Sequence, residues 1–340
     1  MSVKISVITT VLNCENYISK SIQSIIEQTN GDFEYIIVND GSTDRTGEII
    51  HKFAGIDKRL IVIDNKKNEG RVKSLNTALS RAKGKYIAVH DADDISLPER
   101  LEKQSEFLEK NQEYVLAGSH IKVIDEDEKI IYTPQRPVTN EETKFSLLFR
   151  CTFANPSIMY RRETLEKYKI RYEEDFIHAE DFRIISLIAR HGKLYNLRDK
   201  LVLYRKHPSN NSVVNFGILN DVSSKIVMDN IANIGIDVSH DEALRIRKLM
   251  SSKGMDSSFV YKDVELIFRI VKKFNKKKDV KGNTEITKTL KRMLNWLGKK
   301  NTITNPKYSA LYVSILTYKL KQSIFVKNRY STHNLNLPIL

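Results

Sequence analysis

Short apolar runs alternate with helix-like segments through the first 120 residues, and this alternation restricts the chain to few folds. Residues 5–11 are β-branched and apolar, as expected of a strand buried on both faces. Residues 15–29 then carry isoleucines at helical spacing. The two patterns recur, with strands predicted at residues 34–38, 60–63 and 85–89 and helices at 43–53 and 70–82. The alternation predicts an α/β fold in which a mostly parallel sheet is flanked by helices.

The pattern is less regular beyond residue 114 and becomes helical from residue 216. Between these points the sequence predicts strands at residues 115–119, 122–124, 129–132, 157–161 and 202–205, and helices at 141–150 and 181–191. We therefore expect an α/β domain over residues 1–215 and a basic, mainly helical region over residues 216–340.

Charge is distributed unevenly along the 340 residues, which carry a formal net charge of +14. From Arg245 onward there are 22 lysines and arginines but 5 acidic residues, so the basicity belongs to the C-terminal third.

Cys14 and Cys151 provide no disulfide framework and suit a reducing compartment. The first residues do not resemble a signal peptide, and no apolar run reaches the roughly 18 residues of a membrane span. These features predict a globular, cytoplasmic protein.

Three carboxylates lie within four residues in the sequence YIAVHDADD, which spans residues 86–94. Asp91, Asp93 and Asp94 follow a short apolar strand, where their mutual repulsion requires a cation or fixed donors. Mg²⁺ and Mn²⁺ prefer such oxygen ligands and usually combine one or two carboxylates with substrate phosphates. Taken alone, the motif can also be interpreted as an acidic surface turn that binds no metal.

Two further polar segments follow predicted strands and reach the same edge of the sheet, where ligands of α/β proteins bind. Asp40 lies in VNDGSTD, where its carboxylate can accept a hydrogen bond from a nucleobase, or Asp40 or Ser42 caps the next helix. Arg71 opens a helix after the third strand, where it pairs with a phosphate oxygen or remains a solvated surface arginine. The residues alone leave both pairs of alternatives open.

Taken together, the motifs resemble those of the inverting family 2 glycosyltransferases, which have the GT-A fold. Four of them occur in the family's order: VITTVLNCENY, VNDGSTD, NEGRVKSLN and HDADD. Two later segments also match, Ala179-Glu180-Asp181 the family's Glu-Asp pair and Tyr204-Arg205-x-His207 with Ser212 its closing motif. The resemblance covers about residues 2–212 and implies a Rossmann-like, nucleotide-binding domain with a C-terminal helical extension.

The resemblance also implies roles for individual residues. Asp93 would ligate a divalent metal, Mn²⁺ or Mg²⁺, and His207 would complete the metal shell or donate to the diphosphate. Asp181 would act as general base on the acceptor hydroxyl, on the face opposite the leaving group, unless Glu180 and Asp181 only cap their helix. Asn155 and Glu180 would line the acceptor side. The residues implied to bind the nucleotide or the donor sugar are Thr9, Val11, Glu15, Asp40, Arg71, Asp91, Ala92 and Asp94.

The implied reaction moves one sugar from a nucleotide sugar, with UDP the expected nucleotide, to a glycan or lipid-linked glycan acceptor in bacterial surface-polysaccharide assembly. A processive polysaccharide synthase is disfavoured because the chain lacks that group's Gln-x-x-Arg-Trp motif and a membrane span, and its single tryptophan is Trp296. The alternative outside enzymes is a catalytically silent protein that binds nucleotide sugars or a membrane surface.

The basic C-terminal helices have three interpretations. Val264, Ile267, Phe268 and Val271 fall at helical spacing and are followed by the lysines of residues 272–278, as in a cationic amphipathic surface that rests on anionic lipid. A helical cap with a solvated basic face is equally consistent with this pattern. Nucleic acid is not an expected partner, because the sequence contains no recognisable DNA- or RNA-binding module.

Overall fold

The computed structural model describes residues 3–208, 216–250, 260–277, 284–299 and 306–331. Ser212 of the closing motif and Lys278 of the lysine cluster lie outside these residues. The chain forms two compact units, one of residues 1–143 and 151–223 and the other of residues 144–150 and 224–340. The short segment 144–150 therefore groups with the C-terminal unit.

The first unit is built on a nine-stranded sheet. Its strands are β1 (Ile5–Val11), β2 (Phe33–Asn39), β3 (Leu60–Asp64), β4 (Tyr86–Val89), β5 (Ile95–Ser96), β6 (Tyr114–Ile124), β7 (Ile130–Tyr132), β8 (Met159–Arg161) and β9 (Lys193–Arg205). They lie in the order β3-β2-β1-β4-β8-β6-β9-β5, and β7 pairs with β6. Strands β1 to β4 are parallel, as are β6 and β9, whereas β8 is antiparallel to both of its neighbours. The predicted α/β fold with a mostly parallel sheet is confirmed.

Helices flank this sheet because their apolar residues recur at helical spacing. In α1, Ile18, Ile22 and Ile25 are fully buried, and they belong to the same core as the inward side chains of β1 and β2. The helices of this part of the chain are α1 (Ile18–Ile26), α2 (Thr46–Ile56), α3 (Arg71–Arg81), α4 (Arg100–Lys110), α5 (Asn140–Leu147), α6 (Arg162–Lys167) and α7 (Glu180–Ile188).

Two strands are longer than the sequence predicts. The chain from Tyr114 to Ile124 is one strand, although the sequence predicts a break near His120, which is buried in the structure. Strand β9 begins at Lys193 instead of residue 202, and its exposed segment 198–200 hides the alternation expected of a strand. The register between these two strands shifts at Ser119 and His120, and such a bulge is not visible in a hydrophobic pattern.

The described part of the C-terminal unit is helical, as the sequence predicts. Its apolar positions Val264, Ile267, Phe268 and Val271 are all buried. The helices are α8 (Phe216–Ala232), which begins in the first unit, α9 (His240–Met250), α10 (Tyr261–Lys277), α11 (Thr284–Lys299) and α12 (Pro306–Ser331). Within the described residues, no helix is both long enough and apolar enough to cross a membrane.

Candidate active site

The predicted site residues gather at one edge of the sheet because four parallel strands end there. The loops after β1, β2, β3 and β4 carry the motifs identified in the sequence. The carboxyl ends of parallel strands form the usual ligand edge of an α/β sheet. Segments from the second half of the unit, at Asn155, Glu180 and His207, reach residues of the same loops.

Asp40 fixes the loop after the third strand. Its Oδ1 accepts hydrogen bonds from Asn65 Nδ2 at 2.7 Å and from the Glu69 amide at 2.9 Å, and its Oδ2 accepts from the Gly70 amide at 3.0 Å. Helix α2 is capped instead by Asp44, which accepts from the Thr46 amide at 3.0 Å. The alternative in which Asp40 caps that helix is therefore wrong.

The first loop places its predicted residues at different depths. Thr9 is fully buried and donates to the His90 carbonyl at 2.7 Å, so it supports the backbone directly before Asp91. Val11 is also buried, and its carbonyl accepts from the Asp40 amide at 2.8 Å. Glu15 is exposed, and its carboxylate accepts from the Arg45 amide at 3.0 Å. Ala92 is 8% exposed and lies in the loop after β4.

Arg71 bridges two carboxylates that lie far apart in the sequence. Its Nη2 lies 2.6 Å from Asp91 Oδ1, and its Nε lies 2.9 Å from Glu180 Oε1. Asn155 Nδ2 donates to both oxygens of Asp91, at 2.9 and 3.2 Å. Burial opposes the charge of Arg71, but the two carboxylates raise its pKa above the ordinary value. The alternative of a solvated surface arginine is wrong.

Asp91 stays ionised for the same reason. Burial by itself raises the pKa of a carboxyl group, yet the charge of Arg71 and the hydrogen bonds from Arg71 and Asn155 hold the pKa of Asp91 below its ordinary value. Asp91 is therefore a fixed negative charge at the start of the acidic loop, residues 91–94 after β4.

Asp181 lies in the first turn of α7, and its Oδ1 accepts from the Phe182 amide at 2.6 Å. Burial and the neighbouring Glu180 carboxylate raise the pKa of Asp181 to about 7, against the lowering effect of Arg71. The hydrogen bond satisfies one free amide of the helix, as the capping interpretation expects. A carboxyl group with a pKa near 7 is also suited to accept a proton at neutral pH.

The other two carboxylates of the acidic loop contact the end of β9. His207 Nε2 lies 2.9 Å from Asp93 Oδ2, and the Arg205 amide donates to Asp94 Oδ1 at 2.7 Å. Asp94 is 1% exposed, and its Oδ2 has no hydrogen-bond partner within the described part of the chain. Burial and the carboxylates of Asp93 and Asp91 raise the pKa of Asp94 well above its ordinary value. A buried carboxylate oxygen of this kind requires a proton or a nearby cation.

The residue types at this position fit a divalent cation. Among the described residues, no group of three or more histidine, cysteine, aspartate and glutamate side chains is arranged to hold a metal alone. Asp93 and His207 are two adjacent side chains with ligand atoms 2.9 Å apart, beside the unpaired oxygen of Asp94. Mg²⁺-type sites commonly take one or two protein carboxylates and complete their shell with phosphate oxygens and water.

The sequence indicates no role for Arg205 beyond its place in a motif, yet this side chain is almost fully buried and joins two loops. Its Nε donates to the Asp93 carbonyl at 3.0 Å, and its Nη2 lies 3.1 Å from Glu128 Oε1. Its Nη1 donates to the Asp125 and Glu126 carbonyls. The closing motif marks Arg205 in the sequence, but the turn that Arg205 binds is not identifiable from the sequence.

A buried polar network under the acidic loop was also missed. The His90 ring contacts Ser21 Oγ at 2.9 Å and Ser96 Oγ at 3.3 Å. Arg100 donates to the Val89 carbonyl at 2.6 Å and to Ser96 at 2.8 Å. Burial and the charge of Arg100 lower the pKa of His90 to about 3, so the ring is neutral. The network therefore binds the backbone that leads from β4 into the acidic loop.

Comparison with known proteins agrees with this geometry. The sequence matches the family described as Glycosyl transferase family 2 over residues 6–169. An uncharacterized glycosyltransferase of Haemophilus influenzae is 36% identical over 246 residues, which cover 69% of this chain and 76% of that protein. TuaG of Bacillus subtilis, provisionally named a teichuronic acid biosynthesis glycosyltransferase, is 30% identical over 59% of this chain and 78% of its own.

Two solved structures share the fold. TarS of S. aureus, residues 1–349 in complex with UDP-GlcNAc, has a TM-score of 0.60 and 19% identity, with 92% of each chain covered. The mannosyltransferase PcManGT of Pyrobaculum calidifontis, in complex with GDP-Man and Mn²⁺, has a TM-score of 0.52 and 15% identity, covering 94% of this chain and 86% of its own. The chain belongs to the family 2 glycosyltransferases and has their GT-A fold.

The buried position of Arg205 predicts a large cost for its removal. Arg205→Met leaves the carbonyls of Asp125 and Glu126 and the Glu128 carboxylate without this donor, so we expect a loss of about 3 kcal/mol in the free energy of unfolding. Lys20→Met removes an exposed partner of the same Glu128 carboxylate and serves as the control, with an expected loss below about 1 kcal/mol. Urea unfolding followed by circular dichroism measures both, and equal losses would contradict the structural role of Arg205.

Proposed function

We propose that this protein is an inverting glycosyltransferase that moves a single sugar from a nucleoside diphosphate sugar, a UDP-sugar in the first instance, to an acceptor hydroxyl. The observation that carries the proposal is the pairing at one sheet edge of an acidic loop with Asp181, a half-buried carboxyl group whose pKa is about 7. Such a transfer needs charge stabilisation at the leaving diphosphate and a base for the attacking hydroxyl.

The donor diphosphate would lie against the acidic loop. Asp93 and His207 would hold a divalent cation, Mn²⁺ or Mg²⁺, and its chemistry when bound is to neutralise charge on the departing diphosphate. The bound Mn²⁺ of PcManGT supports this assignment by likeness of fold. Asp94 lies beside the same position and would orient the donor sugar or its loop.

The nucleoside would lie toward the first two strands. Asp40 holds the loop after β3. Its Oδ1 already accepts two hydrogen bonds, whereas its Oδ2 accepts one and can accept another. Val11, Glu15 and Ala92 would border the nucleoside or donor, while buried Thr9 supports the loop from below. UDP is preferred as the nucleotide because TarS, which shares the fold, was solved with UDP-GlcNAc.

On the acceptor side, Asp181 would accept the proton of the acceptor hydroxyl as its oxygen attacks the anomeric carbon. A base pKa of about 7 places half of the groups in the active form at neutral pH. Attack opposite the leaving diphosphate gives a β-linkage from an α-linked donor. The name of TuaG supports an acceptor in the assembly of a cell-surface polysaccharide, either a free glycan or one linked to lipid.

A catalytically silent nucleotide-sugar-binding protein is the rival proposal, and it would not need a titrating base. Asp181→Asn is expected to lower kcat by about 10²–10⁴ with donor affinity retained, because the amide cannot accept the proton.

In the unaltered protein, kcat should fall about tenfold per pH unit below a pKa near 7 and level off above it, since the deprotonated carboxylate is the active form.

These rates are measured as nucleoside diphosphate release from a panel of nucleotide sugars with Mn²⁺. Asp175→Asn is the matched control, since Asp175 is an exposed aspartate a few residues before the candidate base. A rate that does not depend on Asp181 would contradict its role as the base. An absence of turnover together with tight donor binding would favour the silent protein.

We also propose that the C-terminal unit binds anionic membrane surfaces by charge alone. Arg269, Lys272, Lys273 and Lys276 are exposed along one face of α10, at the spacing of successive helical turns. The apolar face of the same helix is buried within its own unit, so it is not available for insertion into lipid. Each basic residue near an anionic surface contributes about 1 kcal/mol to binding.

Charge reversal on this basic face tests the membrane proposal. Lys272→Glu with Lys273→Glu should weaken binding to vesicles of phosphatidylglycerol and phosphatidylcholine by more than about tenfold. Lys52→Glu with Lys58→Glu changes the net charge equally at exposed positions of the first unit and should have a smaller effect. Co-sedimentation at two salt concentrations measures both pairs, and equal losses would rule out a localised membrane-binding face.

A further inference from the structure

The guanidinium of Arg71 is engaged from two sides by side chains of its own unit. Asp91 lies in the loop after β4, and Glu180 is the first residue of α7, so one planar group connects two segments that are far apart in sequence. The Arg71 side chain is 30% exposed, and its two carboxylate partners are 18% and 11% exposed. Contacts at 2.6 and 2.9 Å that are partly shielded from water restrict its orientation.

Asn155 completes this arrangement on the side of the acidic loop. Its amide nitrogen lies within hydrogen-bonding distance of both oxygens of Asp91, so Asp91 is fixed by two different partners. The resemblance assigns Asn155 and Glu180 to the acceptor side and Arg71 to the nucleobase or diphosphate. The contacts instead connect all three to Asp91, directly or through Arg71.

We infer that Arg71 is a positioning residue that ties the donor-side loop to the helix carrying the base, with Asn155 and Glu180 as its supports. This inference rests on the proposed function, because it assigns the donor to the acidic loop and the base to Asp181. In this role Arg71 fixes the separation between the two halves of the site and does not act mainly by holding a phosphate oxygen.

The charged and titratable groups around Asp181 make the role measurable. Glu180 adjoins it on α7, Arg71 approaches from α3, Asp91 from the loop after β4, and the Cys151 thiol and the Tyr172 phenol lie nearby. Glu180 raises and Arg71 lowers the pKa of Asp181. Removal of the Glu180 charge must therefore lower the pKa of Asp181, and removal of the Arg71 charge must raise it.

The kinetic experiment compares Arg71→Gln, Arg71→Lys and Glu180→Gln with the unaltered protein across pH 5–9. Arg71→Gln should lower kcat by about 10–100-fold through misalignment, with donor KM changed less than about threefold. The acid limb of the kcat–pH profile should move to higher pH in Arg71→Gln and to lower pH in Glu180→Gln. Arg71→Lys keeps the charge but cannot bridge both carboxylates, so its limb should stay near the original while kcat falls.

A tenfold or greater rise in donor KM for Arg71→Gln, with an unmoved acid limb, would overturn the inference and make Arg71 a phosphate ligand. Unchanged kcat and KM in all three variants would overturn it as well. Glu180→Gln retains the shape of its side chain and decides the question if Arg71→Gln does not fold.

A second readout separates this inference from the proposed function. The pKa of Asp181 is measured without substrate by ¹³C NMR of labelled aspartate carboxyls, with Asp181→Asn used for the assignment. Opposite shifts in Arg71→Gln and Glu180→Gln support the arrangement even if no nucleotide sugar turns over, in which case the proposed function alone fails. Identical pKa values in both variants overturn the arrangement.

Discussion

The structure depends on four carboxylates placed at one edge of a sheet and kept there by fixed cationic and amide donors. Asp91 and Glu180 share the Arg71 guanidinium, and Asp94 accepts from the backbone amide of Arg205. Asp93 contacts His207. Without these donors the mutual repulsion of the carboxylates would oppose folding of the loops that carry them. One oxygen of Asp94 remains without a hydrogen-bond partner in the described structure, and a proton or a nearby cation would compensate it.

The same balance of charge gives the carboxylates different pKa values. Asp91 is held ionised by Arg71, whereas Asp181, half-buried beside Glu180, has a pKa of about 7. Groups of one chemical type therefore have different proton affinities within a single site, which is the condition for a carboxylate to serve as a base at neutral pH. The buried network of His90 and Arg100 binds the backbone that leads into the acidic loop.

Much of the fold was predictable because strands β1 to β4 are buried on both faces and alternate with amphipathic helices. The acidic loop was predictable for a similar reason, since Asp91, Asp93 and Asp94 directly follow such a strand. Strand β9 was only partly predicted, because its bulged register and its exposed residues 198–200 obscure the alternation. The contacts of Arg71 with Glu180 and of Arg205 with the 125–128 turn join residues distant in sequence, so no local pattern reveals them.

The most direct test of a shared cation and diphosphate at this edge is calorimetric titration of UDP with and without Mn²⁺, in the unaltered protein and in Asp93→Asn. Oppositely charged ligands in contact strengthen each other's binding, and linkage makes this gain reciprocal. The proposed site predicts UDP affinity at least about tenfold higher with Mn²⁺, with this gain lost in Asp93→Asn. Equal UDP affinity with and without Mn²⁺, or a gain that persists in Asp93→Asn, would contradict it.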